Sequence, residues 1–93
     1  IYAAEVPLNI MKKSFEGYKF ISLLSKEGNQ NSISDAGVAC LCVHTAIHGA
    51  YLNVIINIKE LDDDRGIGLE AKNILSQSKK EKENIIKFIQ GKI

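Results

Sequence analysis

Residues 28–57 read GNQNSISDAGVACLCVHTAIHGAYLNVIIN, a polar, turn-forming loop that runs straight into a helix apolar on nearly every face. A surface helix of a small domain shows one apolar stripe and one polar face. Here Val38, Leu41, Val43, Ile47, Leu52, Val54, Ile55 and Ile56 are mixed with Ala36, Gly37, Ala39, Ala46, Gly49 and Ala50. Such a helix belongs at the centre of a bundle, where small residues let neighbours approach closely. A chain of 93 residues hardly supplies enough partners to surround it. The expectation is a partial bundle, completed by a missing N-terminal segment or by a partner subunit.

The flanking sequence reads as two further helices. Met11, Phe15, Tyr18, Ile21 and Leu24 recur at spacings of three and four, and Pro7 is tolerated in a first turn. This predicts a helix over about 7–26, with Gly28 as its C-terminal stop. The central helix is expected over 33–57. Its start is read as a capping box from Ser32 to Asp35, with Ser34 as a competing cap. Either reading puts Asp35 at a helix N-terminus. Residues 58–68 hold Asp62-Asp63-Asp64 and two glycines and read as a connector. A third helix follows over 69–90, with Leu69, Ile74, Leu75, Ile85, Ile86 and Ile89 on one side. Its polar middle, 76–83, is expected to be exposed or to line a polar surface, and Lys79 and Glu83 are spaced to pair. No segment has strand periodicity, so the chain reads as a single all-α domain, three long helices of an antiparallel or orthogonal bundle.

Composition excludes several roles. Lys and Arg number 12 against 11 Asp and Glu, and both halves of the chain are close to neutral. A nucleic-acid surface requires clustered positive charge. The apolar run of the central helix is interrupted by His44, Thr45, His48 and Asn53, short of the ~18 uninterrupted residues of a membrane span. No signal peptide pattern precedes it. The chain opens at Ile1 inside an apolar pattern, as an internal or C-terminal piece of a longer protein would. Cys40 and Cys42 are too close along one helix to bridge each other and read as free, small core residues of a reducing compartment. The expectation is a soluble, intracellular protein.

Few residues suggest chemistry. His44 and His48 have the i,i+4 spacing of helical zinc ligands, yet no glutamate stands between them and no third ligand is evident. They read as partly buried, hydrogen-bonded histidines, with no metal. Asp35, beside Asn31, Ser32 and Ser34, is either a helix cap or a general acid/base. Asn53 and Asn57 form a polar i,i+4 pair that must find hydrogen-bond partners, in a neighbouring subunit or a ligand. Glu5 is a lone carboxylate in an apolar setting.

Three blocks carry a resemblance: AAEVP at 3–7, NSISDAGVA at 31–39 and GAYLNVIIN at 49–57. In order and spacing they resemble the cyclodeaminase domain of formiminotransferase-cyclodeaminase and the stand-alone methenyltetrahydrofolate cyclohydrolases. The likeness covers essentially this whole chain but only about the C-terminal half of that family's domain. It implies an all-helical, cytoplasmic homodimer or larger homo-oligomer acting on one-carbon units carried by tetrahydrofolate, with no redox cofactor or metal. It also implies that Asp35 is the acid/base, and that Glu5, Asn31, Ser32, Asn53 and Asn57 are substrate or interface contacts. The family's glycine-rich N-terminal half is not among these residues, so this fragment is expected to be inactive alone. The alternative is a non-catalytic helical dimerisation module that keeps the core pattern without the chemistry.

Overall fold

The computed structural model describes residues 2–93; the apolar start read at Ile1 lies outside them. Three helices make up nearly all of it: α1 at Glu5–Glu27, α2 at Gln30–Leu61 and α3 at Ile67–Lys92, with no strand among the described residues. Each is longer than the spacing predicts, for local reasons.

Helix α1 starts at Glu5, so Pro7 sits in the first turn, where backbone N–H groups lack helical partners anyway. At its other end Gly28 is extended, with φ −79° and ψ 162°, rather than left-handed. A Cβ at Gly28 would lie 2.7 Å from the Ser32 Cβ and 2.8 Å from the Leu24 carbonyl oxygen. Close approach, not positive φ, explains this glycine.

The start of α2 corrects the expected caps. Asn29 is the cap, its Oδ1 accepting from the Ser32 N–H at 2.9 Å. Ser32 and Ser34 are therefore helical, and Asp35 falls in the second turn. The first side-chain carbonyl beyond Gly28 sits on extended backbone, the geometry a cap requires, so the helix begins three residues earlier than expected. The connector likewise shrinks to residues 62–66, where Asp62, Arg65 and Gly66 take positive φ. The Asp64 carboxylate accepts from the Gly68 N–H at 2.7 Å, which holds Gly68 within α3 instead of breaking it.

The helices run up, down, up. Near one end Lys12 of α1 pairs with Glu70 of α3 at 2.8 Å; at the other the Lys92 Nζ donates to the Lys26 carbonyl at 3.4 Å. Thus α1 and α3 are parallel and α2 is antiparallel to both. The α1–α2 pair packs most extensively, the α1–α3 pair least. Along α2 the inward positions are 33, 37, 40, 44, 47, 51, 54 and 58, alternating steps of four and three. That is the seam of a left-handed bundle, and Ile33, Gly37, Cys40, Ile47 and Val54 on it are buried. Leu8, Met11 and Tyr18 meet it from α1, with Ala4 just ahead of that helix; Ile67, Ala71, Ile85 and Ile89 meet it from α3.

Only the face of α2 around that seam, with Ala36 and Ala50 beside it, is filled. On the opposite face Val38, Leu41, Leu52 and Ile56 are 60%, 50%, 59% and 49% exposed, with Cys42, Thr45 and Gly49 between them also exposed. Cys42 is thus a surface thiol rather than the core residue expected, while Cys40 is fully buried. The molecule measures 48 × 19 × 15 Å with a radius of gyration of 15.0 Å, against about 12 Å for a compact chain of this length. Its accessible surface is 6058 Å², against roughly 5,400 Å² for a compact monomer of this mass. By length and composition alone α2 is also apolar enough to cross a membrane, which counting uninterrupted apolar residues did not anticipate.

Two α3 positions depart from the sequence reading. Leu69 is 67% exposed, and Ser78, in the polar middle, is fully buried. The α3 seam passes through 67, 71, 74, 78, 85 and 89, which leaves Leu69 off it. Substituting Ile47, fully buried, by Ala should lower the unfolding free energy by about 2–5 kcal/mol. Leu69→Ser should change it by less than about 0.5 kcal/mol. Urea denaturation followed by circular dichroism distinguishes the two.

Candidate functional site

The residues singled out by sequence fall at opposite ends of the bundle. Asn31, Ser32 and Asp35 lie in the first turns of α2; Asn53 and Asn57 lie near its other end, at the level of Glu5 in the antiparallel α1. Asp35 and Asn53 are eighteen residues apart on one straight helix, about 27 Å at 1.5 Å per residue. One chain does not bring them together. Asp35 is exposed and, since Asn29 does the capping, is spared that structural duty. Asn57 is half-buried and donates from Nδ2 to the Asn53 carbonyl of its own helix at 2.9 Å, so this donor needs no partner subunit. Asn53 and Glu5 are exposed.

What the tertiary structure does assemble lies midway along the bundle. Ser78 of α3 is fully buried. Its Oγ stands 2.6 Å from the Tyr18 hydroxyl of α1 and 2.9 Å from Nδ1 of His44 on α2. One residue from each helix forms a continuous hydrogen-bonded chain, Tyr18–Ser78–His44, across the core. Tyr18 is 2% exposed and burial raises its pKa above the ordinary phenol value. His44 is half-buried, and its pKa is lowered by burial first, then by Lys82, His48 and Lys79, with Glu83 acting in the opposite sense. It is the hydrogen-bonded histidine expected. His48 is exposed, not partly buried as His44 is, because four residues advance about 400° around the helix axis and turn it about 40° further from the buried seam.

The outer edge of His44 opens into a groove of about 430 Å³ between α2 and α3. Helix α2 contributes His44, His48 and Tyr51 in a ladder, ring centroids 6.1 and 6.3 Å apart. Helix α3 contributes Lys72, Lys79 and Lys82 beside Leu75 and Ser76. None of the three lysines forms an ion pair among the described residues, and the Lys79–Glu83 pair expected from spacing is not made. A larger groove of about 730 Å³ between α1 and α3 is walled by Phe15, Phe20 and Leu23, with Glu16 and Glu81 offsetting Lys19. Size favours the second groove; convergent polar groups and a perturbed histidine favour the first as a binding site. No cluster of three or more His, Cys, Asp or Glu that could hold a metal occurs among the described residues. Sequence reading missed Tyr18 and Ser78 as site-supporting residues. The signal available was a serine standing on the heptad seam of α3, where an apolar residue belongs.

The three sequence blocks now have a measured counterpart. The family model described as Formiminotransferase-cyclodeaminase matches residues 1–89. The chain belongs to that family. Among curated relatives, the methenyltetrahydrofolate cyclohydrolase of Methylorubrum extorquens is 41% identical over 61 residues, covering 66% of this chain and 29% of the relative. The formimidoyltransferase-cyclodeaminase of Rattus norvegicus is 36% identical over 62 residues, covering 67% of this chain and 12% of the relative. That of Dictyostelium discoideum is 28% identical across 97% of this chain and 17% of its own length. The chain therefore spans less than a third of each of these relatives.

The polar chain yields an ordered stability prediction. Ser78→Ala removes the central hydroxyl and leaves the Tyr18 hydroxyl buried without a partner, a loss of about 1–3 kcal/mol. Tyr18→Phe removes a terminal group and leaves the Ser78–His44 bond intact, so its hydrogen-bond loss is smaller, about 0.5–1.5 kcal/mol. Thermal or urea unfolding of both variants should give that order.

Proposed function

We propose that this chain forms part of an enzyme of one-carbon folate metabolism, a formimidoyltetrahydrofolate cyclodeaminase or a methenyltetrahydrofolate cyclohydrolase working in the cytoplasm. The observation that carries this reading is the family match over residues 1–89. Both reactions pass through a tetrahedral carbon between two nitrogens of the reduced folate. They therefore require a positioned proton donor and acceptor and a cleft for a flat, carboxylate-bearing substrate. They do not require a redox cofactor or a metal.

The uncovered seam of α2 supports a second unit against this chain, and we assign that place to a second copy. Apolar Val38 and Leu52 flank small Cys42, Thr45 and Gly49, so two α2 helices crossing near Thr45 would approach closely. An antiparallel pairing there lays the Asp35 end of one copy alongside the Asn53 end of the other, which closes the 27 Å gap (about eighteen residues of helix). In this arrangement Asp35 is the acid/base, with Asn31, Ser32, Asn53, Asn57 and Glu5 as substrate or interface contacts. The fragment alone, lacking the rest of the family's length, is inactive.

The test offers 5-formiminotetrahydrofolate to the full-length protein and follows the methenyl chromophore. Formation above the blank identifies a cyclodeaminase; hydrolysis of the methenyl compound instead identifies a cyclohydrolase. Failure of both reactions leaves the helical dimerisation module as the reading. Asp35→Asn should lower turnover by about 10²–10⁴-fold, the usual contribution of a general acid or base, with unchanged unfolding. Unchanged turnover excludes Asp35 from that role. Leu52→Lys should shift the sedimenting species toward monomer, and an unaltered dimer would place the contact elsewhere.

A further inference from the structure

The Tyr18–Ser78–His44 chain contains two contacts and two hydroxyl protons to fill them. Tyr18 and Ser78 make no other side-chain hydrogen bond among the described residues, and both are essentially shut off from water. If the Tyr18 hydroxyl donates to the Ser78 Oγ, and the Ser78 hydroxyl donates to Nδ1 of His44, both buried protons are used. If His44 instead carries its proton on Nδ1 and donates to Ser78, one buried hydroxyl proton has no acceptor. A buried donor without a partner costs about as much as the bond it fails to make. The first arrangement therefore prevails. Nδ1 of His44 is an acceptor, and the imidazole proton resides on Nε2, at the edge of the ring turned away from Ser78.

Charge around the ring favours the same state. His48 faces it from α2, and Lys79, Lys82 and Glu83 from α3; the uncharged Tyr18 lies behind Ser78 on α1. The nearby cations outnumber the one carboxylate, and a second proton on His44 would break the Ser78 donation as well as add like charge.

We propose that the α2–α3 groove is an anion-binding site in which His44, held as the neutral Nε2–H tautomer by Ser78 and Tyr18, donates a hydrogen bond to an anionic oxygen of the ligand. Lys72, Lys79 and Lys82 supply the compensating charge, and Leu75 with the mutually tilted rings of His48 and Tyr51 supplies an apolar flank against which an aromatic body can pack. The ligand class is an aromatic carboxylate, with inorganic phosphate sharing the same oxygen chemistry. Ser78 and Tyr18 are positioning residues: neither reaches the groove's ligand, and both act through the tautomer. The inference stands apart from the folate reading, since it concerns one groove of one chain and no turnover.

The test is nitrogen NMR on protein labelled with ¹⁵N at histidine, where only two histidines give signals. His44 should show a protonated Nε2 and an unprotonated Nδ1 at neutral pH, and should titrate below the ordinary histidine value. Because the folded-state pKa is depressed, its charged form appears only as pH falls below the ordinary histidine range, about 6.5. Ser78→Ala should convert His44 to a tautomer mixture and raise its midpoint. A proton found on Nδ1, or a His44 spectrum indifferent to Ser78→Ala, overturns the tautomer assignment. If Ser78→Ala does not fold, the wild-type spectrum decides by itself. Benzoate and phosphate are then titrated separately against the wild type and a Lys79→Ala, Lys82→Ala double variant. A saturable movement of the His44 Nε2 signal, weakened at least about tenfold in the double variant, supports the site, and the tighter of the two anions identifies the source. No saturable movement up to roughly 50 mM of either anion, weaker than any useful binding, overturns it.

Discussion

Everything in this molecule is arranged around a helix with two apolar seams and one set of partners. Helix α2 is 32 residues long, which at 1.5 Å per residue is about 48 Å and accounts for the full 48 Å length of the bundle. Its neighbours lie side by side on one of its faces, where the buried stripes of α1 and α3 meet it. The second seam of α2 remains in water. Exposed apolar area on this scale marks an interaction surface, and here small residues at its centre allow backbones to come close.

The buried polar layer has the opposite character. Apolar residues at positions 18, 44 and 78 together would fill the same space without requiring partners, since a satisfied buried network contributes little net stability. What the Tyr18–Ser78–His44 chain adds is direction. Hydrogen bonds fix which atoms meet, whereas packed methyl groups tolerate sliding by a heptad. One polar layer in an apolar seam is known to set register in helical assemblies, and this layer ties all three helices at one height. It also delivers an oriented imidazole to the α2–α3 groove, so that the interior of the bundle specifies the chemistry of its surface.

The three helices were legible because their apolar spacing is strong and their separators are glycine-rich. Their ends were less so. Ser32 and Asp35 match a capping box in sequence, but Asn29 reaches the Ser32 N–H first, and a cap is decided by backbone geometry rather than by residue type. The acidic connector looked longer than it is because Asp64 folds back to hold Gly68. Cys42 looked like a core residue because its helix looks buried all round, yet the chain fills only one side. Among the candidate site residues, Asn53 lies in the helix expected, whereas Asp35 moves from the helix start into the second turn of α2 and Glu5 from ahead of α1 into its first turn. Their separation follows only from the straightness of α2.

Sequence by itself determined the class, the number and order of helices, and the family, since these depend on local periodicity and on blocks read in linear order. It also showed that α2 carries more apolar surface than this chain can cover. Tertiary structure alone decided which seam is covered, that Leu69 faces water while Ser78 does not, and that Tyr18, His44 and Ser78 meet. Those outcomes depend on the rotation of each helix about its axis and on its height against its neighbours. Both are set by packing between residues 34 and 60 positions apart, a distance at which no local pattern carries information.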